Sequence, residues 1–388
     1  MAKPGGHLDS AVQPNKPRLQ SIDALRGAAM VLMAIDHVRE YFDYRALQFS
    51  PTDLSHSDIA LFLTRWITHF CAPIFIFTAG IGARLWMMRG GHSKAELARF
   101  LAIRGLFLIV LEPTFLRLIM FSQISLHRNP VGLLILWAIG VSMIALAALS
   151  YLPMPVLAAL GVAVIALHNL LDGISAGQLG SLDWAWYLLH QQGIFSLFGI
   201  RFLAAYPVLP WIGVICSGFC LGGIFSWEAK RRQRLLLIMG FAVTAGFVIL
   251  RVVNLYGDPA PWSGQASPAF TILSFLNVTK YPPSLDFLSM TLGPSLIALA
   301  LLERRTFSVR NPLIVFGRVP LFYYVTHLAV AHLFYWFAHS FLFATPNGYP
   351  LWVTYLVWVI VVALLYPACV WYGRLKQRRH KEWLSAIG

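Results

Sequence analysis

The chain reads as an all-α integral membrane protein, with about ten transmembrane helices around a polar cavity and both termini in the cytoplasm. Three observations lead there. Of 388 residues, 58% are hydrophobic and only 12% are charged, against about 25% charged in soluble proteins. Mean hydropathy is +0.67, and apolar runs near the length a bilayer demands, about 20 residues, recur along the chain. The basic residues gather in alternate loops, as they do in loops that stay inside the cell.

The first span, 20–42, organises the rest. Its stretch SIDALRGAAMVLMAIDHVREY is apolar enough to cross, yet carries Asp23, Arg26, Asp36, His37, Arg39 and Glu40. A charge at the centre of a membrane helix costs roughly 2.5 to 3.5 kcal/mol. Such a helix therefore lines a cavity or a protein interior. Arg26 and His37 are eleven residues apart. That is about three turns, so they share one face and lie ~16 Å apart along the axis.

A polar connection, 43–64, leads to a second span at 65–88, where Gly80 and Gly82 permit close helix contact. The third span, 99–120, holds Arg104, Glu112 and Arg117. The fourth and fifth, 131–150 and 153–171, flank the short LPMP connection. Segment 172–205 is too interrupted to cross and reads as an interfacial helix pair. The sixth span, 206–227, precedes the basic run EAKRRQR, and the seventh is 235–255. A second long loop, 256–283, contains TILSFLNV, which is too short to cross. The eighth, ninth and tenth spans are 284–302, 312–342 and 350–372. Residues 1–19 are expected to be a disordered tail without a signal peptide's apolar core, 20–373 a single membrane domain, and 374–388 a basic tail.

Charge supplies the orientation. Lys16, Arg18, the 84–104 region, Lys230 to Arg234, Arg304 to Arg310 and Arg374 to Lys381 form an inside set. Arg45, Arg128, Arg201 and Lys280 are scattered on the other side. The net charge of +14 is then a topology signal and a contact to anionic lipid, with no nucleic acid implied. Cys71, Cys216, Cys220 and Cys369 all lie in apolar runs, which indicates neither a disulfide framework nor a zinc site. No metal is expected.

His37 is the leading chemical candidate, because histidine accepts and returns a proton near neutral pH. A carboxylate to orient it could be Asp36 or come from another span, for example Asp286; a purely structural buried histidine is the other reading. Arg26 could bind a phosphate or carboxylate bidentately, and Arg99 and Arg104 could dock a polyphosphate. On the outer half, Arg65, His69 and His327 are substrate-side candidates. So are Lys280, Tyr281 and Ser284 in TKYPPSLDF. Glu112 must be paired or protonated if buried. Nucleophile elbows, P-loops, dinucleotide fingerprints and HExxH motifs do not occur. Acyl transfer from a thioester needs only a base and positioned donors; attack by His37 itself, forming an acyl-imidazole, is the other course.

The segments SIDALRGAAMVLMAIDH, RWITHFCAPIFIFTAG, IALHNLLDG, SFLNVTKYPPSLDFLSMTLGP and VFGRVPLFYYVTHL resemble the bacterial branch of the heparan-α-glucosaminide N-acetyltransferase-like membrane family. Arg26 and His37 also resemble the arginine, ten residues, histidine pattern of acyltransferase-3-type enzymes. The resemblance implies a multi-pass protein of the bacterial cytoplasmic (inner) membrane. It would use acetyl-CoA, or another acyl-CoA, from the cytoplasm to acylate a glycan or other amphiphilic acceptor on the far side. His37 would be catalytic, and Arg26 would support the donor. A homodimer is left open. A transporter or channel for a small anion or proton-coupled solute is the competing class, and a structural subunit or sensor a third.

Overall fold

The computed structural model describes residues 19–46, 48–121, 129–342 and 348–378. The expected disordered tail, apart from Leu19, and the basic segment beyond Arg378 lie outside them. Helices dominate. Seven are long and apolar enough to cross a membrane: Ile59–Gly90, Met154–Leu171, Leu209–Ser226, Ala229–Val253, Leu285–Leu302, Pro320–Ser340 and Leu351–Arg378. The protein is a multi-pass membrane protein.

Helix α1 (Gln20–Phe42) packs against several others, named below. Asp58 caps α2 (Ile59–Ile67), its side chain accepting from the Leu61 amide. A single turn, Thr68–Phe70, joins α2 to α3 (Cys71–Gly90), so this membrane helix starts at Ile59 instead of at the expected 65. It stops at Gly91, where φ is 63°, a left-handed conformation that glycine adopts without penalty. A reciprocal Ser93–Glu96 cap starts α4 (Lys94–Leu111). A π-helical segment, Glu112–Leu116, follows before α5 (Arg117–Phe121).

Glu112 explains how α6 (Ile135–Leu149) begins. Its buried carboxylate accepts from the amides of Leu134 (2.8 Å), Leu136 (3.1 Å) and Trp137 (2.8 Å). The first amides of a helix have no partner within it, and here a carboxylate from the preceding helix supplies one. The buried Glu is thus paired with backbone.

Segment 172–205 departs in part from the expected helix pair. After α7 (Met154–Leu167) a 3-10 stretch, Ala176–Leu182, runs into the short helix α8 (Asp183–Leu189), and a hairpin of β2 (Gly193–Leu197) and β3 (Ile200–Ala204) follows. The turn residues Phe198 and Gly199 have φ of 52° and 76°, the positive values a two-residue hairpin turn requires. Strand β3 also pairs in parallel with β1 (Val131–Leu133), giving the order β1-β3-β2. Alternation of ordinary and aromatic residues over a few positions suits a strand as well as a short helix, and pairing with β1 decides between them.

Next come α9 (Leu209–Leu221), α10 (Ala229–Val253), α11 (Pro268–Leu276) and α12 (Leu285–Leu302). The expected ninth span breaks into α13 (Pro312–Arg318) and α14 (Pro320–Phe337). Val319, with φ −131° and ψ 50°, precedes Pro320, and a residue before proline is driven from the helical region. Helix α15 (Leu351–Arg378) ends the described chain. Around α1 stand α2, α3, α12, α13, α14 and α15.

Replacing Glu112 by Ala leaves the α6 amides without an acceptor. The expected cost is at least about 1–3 kcal/mol, that of one orphaned buried donor, read as a lower thermal midpoint in detergent. Glu112→Gln, which keeps an accepting oxygen, should lose less.

Candidate functional site

Two glycines fix α1 against α13. Gly27 faces the Leu313 carbonyl and Gly317 faces the Asp23 carbonyl, and a Cβ at either position would collide with that backbone. Close approach of membrane helices depends on such small residues. The contact brings the Arg318 guanidinium to 3.6 Å from the Asp23 carboxylate.

Beside this crossing opens a cavity of about 640 Å³. Arg26 and Met30 of α1, Arg89 of α3, Arg104 of α4, Arg318 of α13, Tyr324 of α14 and Lys376 of α15 all line it. Among the described residues its lining includes no Asp or Glu. Trp86 forms part of the wall, stacked between His92 (centroids 3.7 Å apart) and Phe100 (4.6 Å). Arg26 is steadied by Thr78, donating from Nε to its hydroxyl at 2.9 Å and from Nη2 to its carbonyl. Arg99 is exposed and does not line the cavity. Five residues separate it from Arg104, so the two point about 140° apart around α4.

At one wall of the cavity, the Tyr324 ring stands edge-on to two imidazoles, 6.0 Å from His37 and 5.6 Å from His327. Those two rings are stacked with centroids 4.9 Å apart, and His37 Nδ1 lies 2.6 Å from His327 Nε2. The protons follow from the partners. His327 Nδ1 sits 3.0 Å from the Tyr323 carbonyl, and a carbonyl only accepts, so Nδ1 carries the hydrogen. In a neutral imidazole Nε2 is then an acceptor. His37 must donate from Nδ1, which leaves His37 Nε2 as the nitrogen with a lone pair. The pair fixes the tautomer that a general base requires.

The carboxylates expected to orient His37 have other partners. Asp36 accepts from Arg39 at 3.2 Å and from Arg65, across from α1 to α2. Asp286 packs against Gly257 and lies 3.9 Å from Arg251. Arg251 in turn donates to the carbonyls of Ala260, Ser274, Phe275 and Asn277, and so ties down the loop around α11. Ser284 caps α12 and donates to Asp258 at 2.6 Å. Its hydroxyl is therefore committed to the loop.

Lys280, Tyr281, Arg65 and Asp36 are brought into one neighbourhood at the end of α1 away from the cavity. Tyr281 donates to the Tyr206 hydroxyl at 3.2 Å, and Lys280 lies 5.2 Å from the Tyr281 ring. Burial works to raise the Tyr281 pKa, but the Lys280 and Arg65 cations outweigh it and hold it below the ordinary tyrosine value. His69 is buried in the turn between α2 and α3, 5.4 Å from the Phe287 ring.

Sequence reasoning missed Trp86, Arg89, His92 and Lys376. Trp86, Arg89 and His92 lie at the end of α3 and Lys376 is far away on α15, and single basic residues at helix ends carry no signal beyond topology. Residues 18–252 match the family model described as heparan-alpha-glucosaminide N-acetyltransferase, catalytic, which is more than half of the chain. The match includes Arg26, His37, Arg65, His69 and Arg104 and stops before His327. A comparison with curated proteins finds no matching sequence.

Substituting Asp36 by Ala would strand Arg39 and Arg65 without their carboxylate. Breaking a buried pair from one side costs about 3–5 kcal/mol, so the variant should melt well below the wild type in detergent. Asp36→Glu should recover part of that loss.

Proposed function

We propose, because the chain belongs to the heparan-alpha-glucosaminide N-acetyltransferase catalytic family, that it transfers an acyl group, acetyl by family, from acyl-CoA in the basic cavity to a sugar or other amphiphilic acceptor. The observation that carries this reading is continuity. The cavity lined by five cations has Tyr324 in its wall, and that ring meets both histidines of the pair.

Arg26, Arg89, Arg104, Arg318 and Lys376 suit the pyrophosphate and 3′-phosphate of the donor, since guanidinium groups bind phosphate in a bidentate fork. The Trp86–Phe100 wall suits its adenine, because aromatic rings give bases a stacking surface. The acyl end reaches the histidine pair past Tyr324. His37 Nε2 takes the proton of the acceptor hydroxyl or amine as that atom attacks the thioester carbonyl. The C–S bond breaks, the coenzyme leaves as thiolate, and the proton on His37 passes to it to give the thiol. His327, accepting from His37 Nδ1, steadies the imidazolium between those steps. Lys280, Tyr281 and Arg65 offer polar groups for the acceptor at the other end.

The same reading adds spans α1, α4–α5 and α6 to the seven apolar helices, for ten in all, and the distribution of basic loops supports termini and a cavity mouth that face the cytoplasm. The membrane would be the cytoplasmic (inner) membrane of a bacterium, with the acceptor beyond it.

His37→Ala should lower acyl transfer by about 10²–10⁴-fold while calorimetric acyl-CoA affinity stays unchanged. Full activity in a well-folded His37→Ala protein would overturn the assignment. His327→Phe should lower kcat and leave acyl-CoA affinity alone. Arg104→Ala should weaken acyl-CoA binding about tenfold or more, the worth of a charge-assisted contact, whereas Arg99→Ala should not. Solute uptake into liposomes without consumption of acyl-CoA would favour a transporter instead.

A further inference from the structure

Away from the cavity and from the histidine pair, the fold gathers three potential metal ligands from two stretches of chain. His168 opens the single turn that follows α7, Asp172 lies one turn further on, and His190 follows the end of α8. Each offers one ligand atom, and these atoms lie within 4.8 Å of one another. His190 Nε2 is 3.0 Å from Asp172 Oδ1.

The environment of His168 is the second observation. Its residue is 2% exposed, as is His190. Neither ring nitrogen of His168 finds a hydrogen-bond partner among the described residues, and His190 Nδ1 finds none either. Buried polar groups ordinarily have partners, so an imidazole with two orphaned nitrogens beside an Asp–His pair points to an absent ligand. Asn169 adds orientation. It donates to Asp172 Oδ2 at 2.8 Å and accepts from the Leu285 amide at 2.9 Å. One carboxylate oxygen is thereby held and the other left facing His190.

We propose that His168, Asp172 and His190 form a zinc site that fastens the α8 and hairpin layer to the ends of α7 and α12. Two imidazoles and one carboxylate are a nitrogen-rich set that favours zinc and disfavours magnesium and calcium, which take oxygen ligands. Zinc bonds of about 2.0–2.2 Å would draw the donors to roughly 3.5 Å from one another, within reach of side-chain rotation. Asp172, on the more exposed side, leaves the fourth position to water. The two imidazoles are buried at helix ends, so the ion would tie those ends together.

The test uses the full-length protein in detergent with its affinity tag removed, since a polyhistidine tag would bind the same metal. As purified, it should carry one zinc per chain by elemental mass spectrometry. Treatment with a strong chelator should lower the thermal midpoint; one equivalent of zinc chloride should restore it and magnesium chloride should not. His168→Phe, which keeps the ring volume, should hold no zinc and have a midpoint that neither chelator nor zinc moves. Asp172→Ala, on the more exposed side, serves if His168→Phe fails to fold. Cobalt in place of zinc should give visible absorption bands in the wild type that both variants lack. A wild type whose midpoint ignores chelator and zinc, or a variant that retains as much zinc as the wild type, would overturn the site. Either result leaves the acyl-transfer proposal standing, because it concerns other residues.

Discussion

A charge inside an apolar bundle must be met by a partner from another part of the chain, because no water is there to solvate it. The arrangement of this protein follows from that requirement. Asp36 lies between Arg39 and Arg65, which ties α1 to α2. Glu112 holds the first amides of α6. Arg232 and Glu303 meet at 2.8 Å and join the start of α10 to the end of α12. Arg251 gathers four carbonyls and closes the loop that carries α11. Most of these bonds join one helix to another helix or loop, so the polar residues act as the registration marks of an otherwise slippery helix bundle.

Between these ties the helices approach closely through glycine. Gly27 and Gly317 at the α1–α13 crossing are one instance, and Gly105 of α4 facing Gly140 of α6 is another. Removing the side chain lets backbones touch, and dispersion then acts over the whole crossing. The consequence is a defined division of the molecule. Gln20 meets Phe307 at one end, where the basic cavity lies. At the other, the loop containing Thr52 meets Asn277, and Asn169 meets Leu285. Helix α1 runs from one end to the other and carries Arg26 near the first and His37 further along.

The histidine pair shows how a fold can set a tautomer without a carboxylate. The Tyr323 carbonyl decides the proton position on His327, and His327 decides it on His37. Neutral partners suit this place better than an acid would. A carboxylate buried here would require its own counter-charge, and the nearby Asp36 already balances two arginines. The proposed zinc site follows the same rule from the other direction, since a metal ion is what can satisfy two imidazoles and an acid where few hydrogen-bond donors are at hand.

Much was legible in the sequence. Composition and apolar runs specify a helical membrane protein, because burial in lipid selects strongly on hydropathy over twenty-residue windows. The spacing of Arg26 and His37 along one helix needs only the 3.6-residue period. The motifs carry the family resemblance, and the match over residues 18–252 bears it out. Other features depended on contacts across the chain. His327 meets His37 only because α13 and α14 break at Val319–Pro320 and lean on α1. Arg104 faces the cavity and Arg99 does not because α6 packs on one side of α4. A hairpin follows the short helices of 172–205 because β1, about seventy residues before β3 and in an apolar run, offers β3 an edge. Local pattern fixes which long apolar segments are helices, since hydropathy and period are local quantities. Which polar group meets which is decided by packing, since it depends on distances between segments that sequence separation does not encode.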